Sequence, residues 1–271
     1  MKLLSYYINW RISPATATAI LILAGALAAT LWRPVWWPWT TGAVVLSLLW
    51  ITAAGLWPRS RILGPNWVAL PAAAAHRSEV ALTIDDGPDP QVTPRVLDIL
   101  DRYHAKATFF CIGRRVAQHS ALCREIVRRG HALENHSQQH SPLFAFFGPF
   151  RTRREIRTAQ ETLRNISGQT PLFFRPPAGL RSPVLHPVLV DLGLRHASWT
   201  RRGFDTRERD AGRVLKRLTH GLQAGDILLL HDGSAARTPA GAPVILEVLP
   251  HLLERIAQAG LKPVTLRDAL N

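Results

Sequence analysis

Thr83-Ile84-Asp85-Asp86-Gly87-Pro88 and, about fifty residues further on, His136-Ser137-Gln138-Gln139-His140 hold the side chains that bond-breaking chemistry needs. Asp85 and Asp86 close a run, residues 80–84, that reads as a buried strand halted by a Gly-Pro turn. His136 and His140 have the spacing that sets two imidazoles on one face of a helical turn. Two nitrogens and one carboxylate oxygen suffice for a divalent cation, with a second carboxylate left over as a base. That is equipment for metal-assisted hydrolysis. The same donors hold non-haem iron in oxygenases, so the ligand set leaves both chemistries open. Without a metal, the pair reads as exposed helical histidines and the acids as a solvated turn. Position favours an enzyme, because the C-terminal end of a strand is where α/β enzymes place catalytic groups.

The elements that must position these residues alternate along the chain. Strands are expected at 80–84, 108–112, 131–135, 172–174, 195–199, 226–230 and 261–264. Helices are expected at 93–103, 116–129 with Gly130 as the stop, 183–192, 211–220 and 244–258. Thr152-Arg153-Arg154-Glu155 has the form of a capping box opening a further helix to about residue 166. Such alternation predicts an α/β fold with a parallel sheet, curved into a barrel-like form. Asp85, Asp86, His136, Arg175 and His231 all follow predicted strands, and in a barrel those ends converge.

Residues 1–62 have a different composition. They hold Lys2, Arg11, Arg33, Arg59 and Arg61 and no acid, leaving 28 basic against 19 acidic residues for the rest. Eight of the nine tryptophans precede the two motifs, and only Trp199 lies beyond them. The uncharged runs 14–32 and 40–57 are each about 25–28 Å long as helices, enough to cross a thin hydrocarbon core. Ser13 is the expected N-cap and Pro14 the first helical residue. Arg33-Pro34-Val35-Trp36-Trp37-Pro38 suits an interfacial turn, and Trp10, Trp32 and Trp57 sit where an aromatic belt belongs. The chain therefore divides into a transmembrane hairpin (1–60), a Pro/Ala-rich linker (61–77) and a catalytic domain (78–271). Positive charge at both ends of the hairpin favours the cytoplasmic side of an inner membrane for the catalytic domain, its basic surplus against anionic lipid, and a single spanning run would turn the domain outward instead. No basic-aromatic stripe for nucleic acid is present. Cys111 and Cys123 are expected as buried free thiols.

From about residue 80 to 270 the chain resembles the polysaccharide deacetylase (NodB-homology) family, carbohydrate esterase family 4. Thr83–Pro88 matches its Thr-Phe-Asp-Asp-Gly-Pro motif with Ile84 for Phe, and His136–His140 matches His-Ser/Thr-x-x-His intact. Arg175-Pro176-Pro177-Ala178-Gly179 matches Arg-x-Pro-Tyr-Gly with Ala178 for Tyr, and Leu229-Leu230-His231 matches Leu-x-His. The resemblance implies a distorted (β/α) barrel in which Asp86, His136 and His140 bind a divalent metal, zinc above others. It implies Asp85 as general base, His231 as general acid and the Ala178 backbone N–H as oxyanion donor, with Pro177 and Trp199 on the substrate side. Asp205 stands where the family has an Asp-x-x-Asp-Trp pattern and is expected to pair with Arg175 and so hold Asp85; Arg209 replaces the family Trp and adds a cation.

These readings amount to a membrane-anchored, metal-dependent hydrolase of non-peptide C–N bonds, removing N-acetyl or a similar small acyl group from an amino sugar. Alternatives are a deformylase or deacetylase of a lipid-linked sugar, an O-acetyl esterase, and a catalytically silent glycan-binding protein. The partners expected are an N-acylated carbohydrate and membrane lipid, and no nucleic acid.

Overall fold

The computed structural model describes residues 12–270. Lys2, Trp10 and Arg11 lie outside the described residues. Two apolar helices come first. Helix α1 (Pro14–Trp32) starts where Ser13 accepts a hydrogen bond from the Thr16 amide, with Pro14 at its first position. A 3₁₀ turn (Pro34–Trp36) leads into α2 (Trp37–Leu56), which folds back along α1, the Thr30 and Thr40 hydroxyls 2.7 Å apart. Both spans, Pro14–Trp32 and Pro34–Leu56, are long and apolar enough to cross a membrane, and most of their leucines and tryptophans are exposed.

The remainder is one eight-stranded sheet with helices around it. After the short α3 (Ala72–His76), β1 (Glu79–Asp85) runs buried along its whole length. There follow α4 (Thr93–Arg102), β2 (Thr108–Cys111), α5 (Gly113–Gln118), α6 (Ser120–Arg128) and β3 (Ala132–Asn135). Then come α7 (Pro149–Ser167), β4 (Phe173–Phe174), α8 (Leu185–Asp191), β5 (Arg195–His196) and β6 (Arg201–Arg202). The chain ends with α9 (Ala211–Thr219), β7 (Ile227–His231), α10 (Val244–Gln258) and β8 (Lys262–Val264). The order is β5-β4-β3-β2-β1-β7-β6, with β8 beside the start of β1, and every pairing is parallel. All C-terminal strand ends therefore open on one face.

The barrel is distorted at a seam. Its two outermost strands, β5 and β6, belong to one extended run of chain, and residues 197–200 between them cross the gap without forming a strand. The carbonyls of Ala197 and Ser198 accept hydrogen bonds from the Arg175 guanidinium instead, at 3.2 and 2.7 Å. Trp67 bridges to Ala197 through backbone bonds with His196 and Ser198, and a wholly buried arginine takes the two carbonyls left over, as buried carbonyls require.

Some expectations are corrected. The helix expected over 116–129 is two helices, broken at His119. Thr152 caps nothing: α7 begins at Pro149 after Gly148, and the Thr152 hydroxyl donates to the Phe147 carbonyl. Proline at the first position makes the earlier start the better one. The expected strand 195–199 stops at His196, and β6 falls in a stretch for which none was predicted. Cys111 and Cys123 are buried and unbridged, and burial pushes both thiols up, Cys123 to about 12.

Candidate active site

Adjacent residues on a strand point to opposite faces, yet Asp85 and Asp86 line the same cleft. The reason is local. Asp85 is the last residue of β1, and Asp86 adopts φ 74°, a left-handed turn that aspartate tolerates better than most residues. The histidine pair departs from its expected geometry. Residues 136–140 form no helical turn; they form a loop in which Ser137 (φ 65°) and His140 (φ 52°) are left-handed. The loop is tied down by two tertiary bonds, the His136 amide to the Cys111 carbonyl and the Gly113 amide to the Ser137 carbonyl, and by a local one from the His140 amide to the Ser137 hydroxyl. The imidazole centroids still come within 4.9 Å of each other.

Asp86 Oδ1 lies 3.2 Å from His136 Nε2 and 3.0 Å from His140 Nε2, and it has no hydrogen-bond partner although buried. Its other oxygen accepts from the Ser234 hydroxyl. His136 Nδ1–H donates to the Arg175 carbonyl at 2.7 Å, which leaves Nε2 with its lone pair aimed at Asp86. One oxygen and two nitrogens within 4.8 Å of one another, one of them an orphaned buried anion, fit a divalent cation. An unpaired carboxylate at such a place costs several kcal/mol unless a cation compensates it.

Around this triad stand the remaining groups. Asp85 Oδ1 accepts from Arg175 Nη1 at 2.6 Å, and its Oδ2 faces His136 Nε2 at 3.9 Å. The same Nη1 reaches the Thr83 hydroxyl at 2.9 Å, and the guanidinium lies over the Phe110 ring. Arg175 thus has Asp85 as its only carboxylate partner among the described residues. Asp205 does not pair with Arg175. It grips His231, accepting from Nδ1 at 2.9 Å and from the backbone N–H at 2.7 Å. Burial lowers the His231 imidazole, but the Asp205 carboxylate more than offsets it, with help from Asp85 and Asp86, and the net direction is upward.

Ala178 sits in a 3₁₀ turn (Pro177–Gly179) at φ 55°, exposed at the cleft. Pro177 is buried beneath it. A β-carbon on Gly179 would meet the Trp199 ring at 2.5 Å and Pro58 at 2.9 Å, so Trp199 packs directly under this turn. The cleft, about 200 Å³, is lined by Asp85, Asp86, His136, His140, Ala178 and His231, and also by Trp199, Arg202, Thr206 and Arg207. Arg209 is elsewhere, donating to the Arg237 carbonyl, so the cations in the cleft are Arg202 and Arg207. Ser234, Arg202 and Thr206 carried no sequence signal; only adjacency to His231 or Asp205 could have suggested them. A roomier cavity of about 290 Å³ beside α8 is lined by Leu185, Leu189 and Leu194 with His186 and His196, and has no carboxylate to make an acid–base pair.

Residues 72–197 match the sequence profile of the polysaccharide deacetylase family. A peptidoglycan-N-acetylglucosamine deacetylase of Bacillus cereus is 32% identical over 203 residues, 70% of this chain and 87% of that protein. A chitooligosaccharide deacetylase of Azorhizobium caulinodans is 36% identical over 162 residues, covering 58% and 75% respectively. In three dimensions the chain resembles a carbohydrate esterase family 4 pseudoenzyme from Bacillus anthracis (TM-score 0.64, 25% identity), over 72% of this chain and 66% of that one.

Proposed function

Since the chain belongs to the polysaccharide deacetylase family, we propose that it removes the N-acetyl group from an amino sugar within a glycan, in a metal-dependent reaction. The observation that carries this reading is the convergence on one cleft of an Asp-His-His triad with a separately held carboxylate and imidazole.

A divalent cation held by Asp86, His136 and His140, zinc by the character of the donors, supplies polarisation of the amide carbonyl and acidification of a water. Asp85, fixed through one oxygen by Arg175, has its other oxygen free to take the proton of the attacking water. The backbone N–H of Ala178, in the turn that lines the cleft, would be the donor for the developing oxyanion. His231, kept protonated by Asp205, gives its Nε2 proton to the departing amine. Trp199 forms the apolar side of the sugar site; Pro177, expected beside it, is buried beneath the turn and does not line the cleft. The same parts would cleave an O-acetyl ester.

The two apolar spans support a membrane anchor with the catalytic domain at residues 78–271. Arg59 and Arg61 after the hairpin, with only Arg33 in its turn, favour the cytoplasmic side. That placement and the Arg202 and Arg207 lining favour a second reading, deacylation of a lipid-linked sugar bearing negative charge. A silent glycan-binding role, in keeping with the pseudoenzyme likeness, requires loss of chemistry despite an assembled acid–base pair.

The test is acetate or formate release from N-acyl amino sugars, free and lipid-linked, by the full chain in detergent. Release that stops on chelation and returns with zinc is the expected result, and His136→Ala should lose both zinc uptake and release. Zinc uptake without release from any N-acyl sugar would establish the silent reading.

A further inference from the structure

The end of the hairpin is fastened to the rim of the cleft. The Arg181 amide donates to the Gly55 carbonyl in the last turn of α2 at 3.0 Å. The Arg181 side chain is 4% exposed and reaches the Ser60 carbonyl at 2.9 Å and the Gly64 carbonyl at 3.3 Å. It has no carboxylate partner among the described residues, and burial pushes its guanidinium down to about 10. Arg59 reaches the Thr200 carbonyl at 3.2 Å, and Pro58 packs where a Gly179 β-carbon would stand, one residue past Ala178. The segment leaving α2 is thus bonded to both sides of Trp199, on the face where the parallel strands end.

That same face carries exposed apolar side chains. Among the described residues beyond 60, seven large apolar side chains are exposed, and four of them, Leu143, Phe146, Phe150 and Phe204, follow β3 or β6. Phe146 is 83% exposed and Leu143 60%. Arginines accompany them: Arg151 lies 3.7 Å over the Phe147 ring, Arg202 lies 5.1 Å from the Phe204 ring, and Arg154 and Arg207 are exposed. Apolar tips flanked by arginine suit the boundary between anionic headgroups and acyl chains, where the cations are drawn to the lipid phosphates.

We propose that the rim of the cleft, through Leu143, Phe146, Phe150 and Phe204, rests in the headgroup layer of an anionic bilayer, so that the site opens towards membrane-borne glycan. The inference rests on the reading that Pro14–Trp32 and Pro34–Leu56 span that bilayer. The fastening at Arg181 carries it, because a hairpin crossing the membrane cannot leave a rim bonded to its end far from the surface.

The test uses the full chain in phosphatidylethanolamine–phosphatidylglycerol vesicles, with Leu143→Cys, Phe146→Cys and, on the opposite face before β8, Gln258→Cys. Each carries an environment-sensitive fluorophore; Cys111 and Cys123 are wholly buried and stay unlabelled. Spin-labelled lipid should quench positions 143 and 146 at least about threefold more than 258, and aqueous iodide should do the reverse. Equal quenching at all three, with the chain still floating with the vesicles, overturns the docking alone. Protection of 143 and 146 from both quenchers means a protein covers the rim and also overturns it. Failure to float overturns the anchor reading as well. Acetate release, measured separately, bears on the deacetylase reading.

Discussion

His231 has no freedom to turn: Asp205 holds its ring nitrogen and its backbone N–H at once. The carboxylate fixes the tautomer, stabilises the imidazolium and leaves Nε2 towards the cleft. If His231 acts as the acid, activity requires its protonated form and falls as pH rises past its raised pKa. Asp205→Asn removes the chief cause of that rise, so the basic limb of the kcat/KM profile should move to lower pH and kcat should fall about 10²–10⁴-fold. An unchanged basic limb would disconnect the pair from the reaction. Asp232, next in the chain, behaves differently. Burial pushes its carboxyl up to about 7, against the hydrogen bond it accepts from Thr93. Between pH 3.8 and about 7 the folded chain keeps a proton there that the unfolded chain has released. The contribution of this group to stability therefore declines as pH rises through that window. The thermal midpoint of Asp232→Asn relative to the parent should climb from pH 4 to pH 7 and then level off.

At the scale of elements, the seam between β5 and β6 explains why Arg175 is wholly buried. It satisfies the Ala197 and Ser198 carbonyls, the Thr83 hydroxyl and Asp85 with one planar fork. Arg175→Lys offers a single ammonium for four acceptors in three directions. It should cost about 3–5 kcal/mol, the range for breaking a buried ion pair, and lower kcat together with the thermal midpoint. A lysine variant with the parent's midpoint would refute this account of the seam. Much of the architecture was legible beforehand, because strands such as β1 and β7 are short apolar runs and the chemistry follows their ends directly. The His136–His140 loop was not. Its path is held by the His136 amide donating to the Cys111 carbonyl and the Gly113 amide donating to the Ser137 carbonyl, partners remote in sequence, and i,i+4 spacing alone reads as helix. The partner of Asp205 was equally hidden, since nothing local distinguishes His231 from Arg175 across a barrel. Ser234, on Asp86, belongs to no periodic pattern at all.

For the whole molecule, the consequential joint is between α2 and the cleft. A β-carbon at Gly55 would lie 2.3 Å from the Arg181 carbonyl oxygen, which is backbone and has nowhere to go. Gly55→Leu should therefore separate the hairpin from the rim while leaving both folded. A fluorophore on Phe146→Cys should then lose its quenching by spin-labelled lipid, with the protein still bound to vesicles. Retained quenching would mean that the rim finds the surface without the joint.

Arg175 also bears on how such a chain can change over generations. One side chain serves both the integrity of the barrel and the placement of Asp85, so selection for a folded protein preserves that placement even when turnover no longer matters. His140 or His231 can drift without opening the seam, whereas losing Asp85 would strand the buried guanidinium. Inactive descendants of this chain should therefore still carry the arginine.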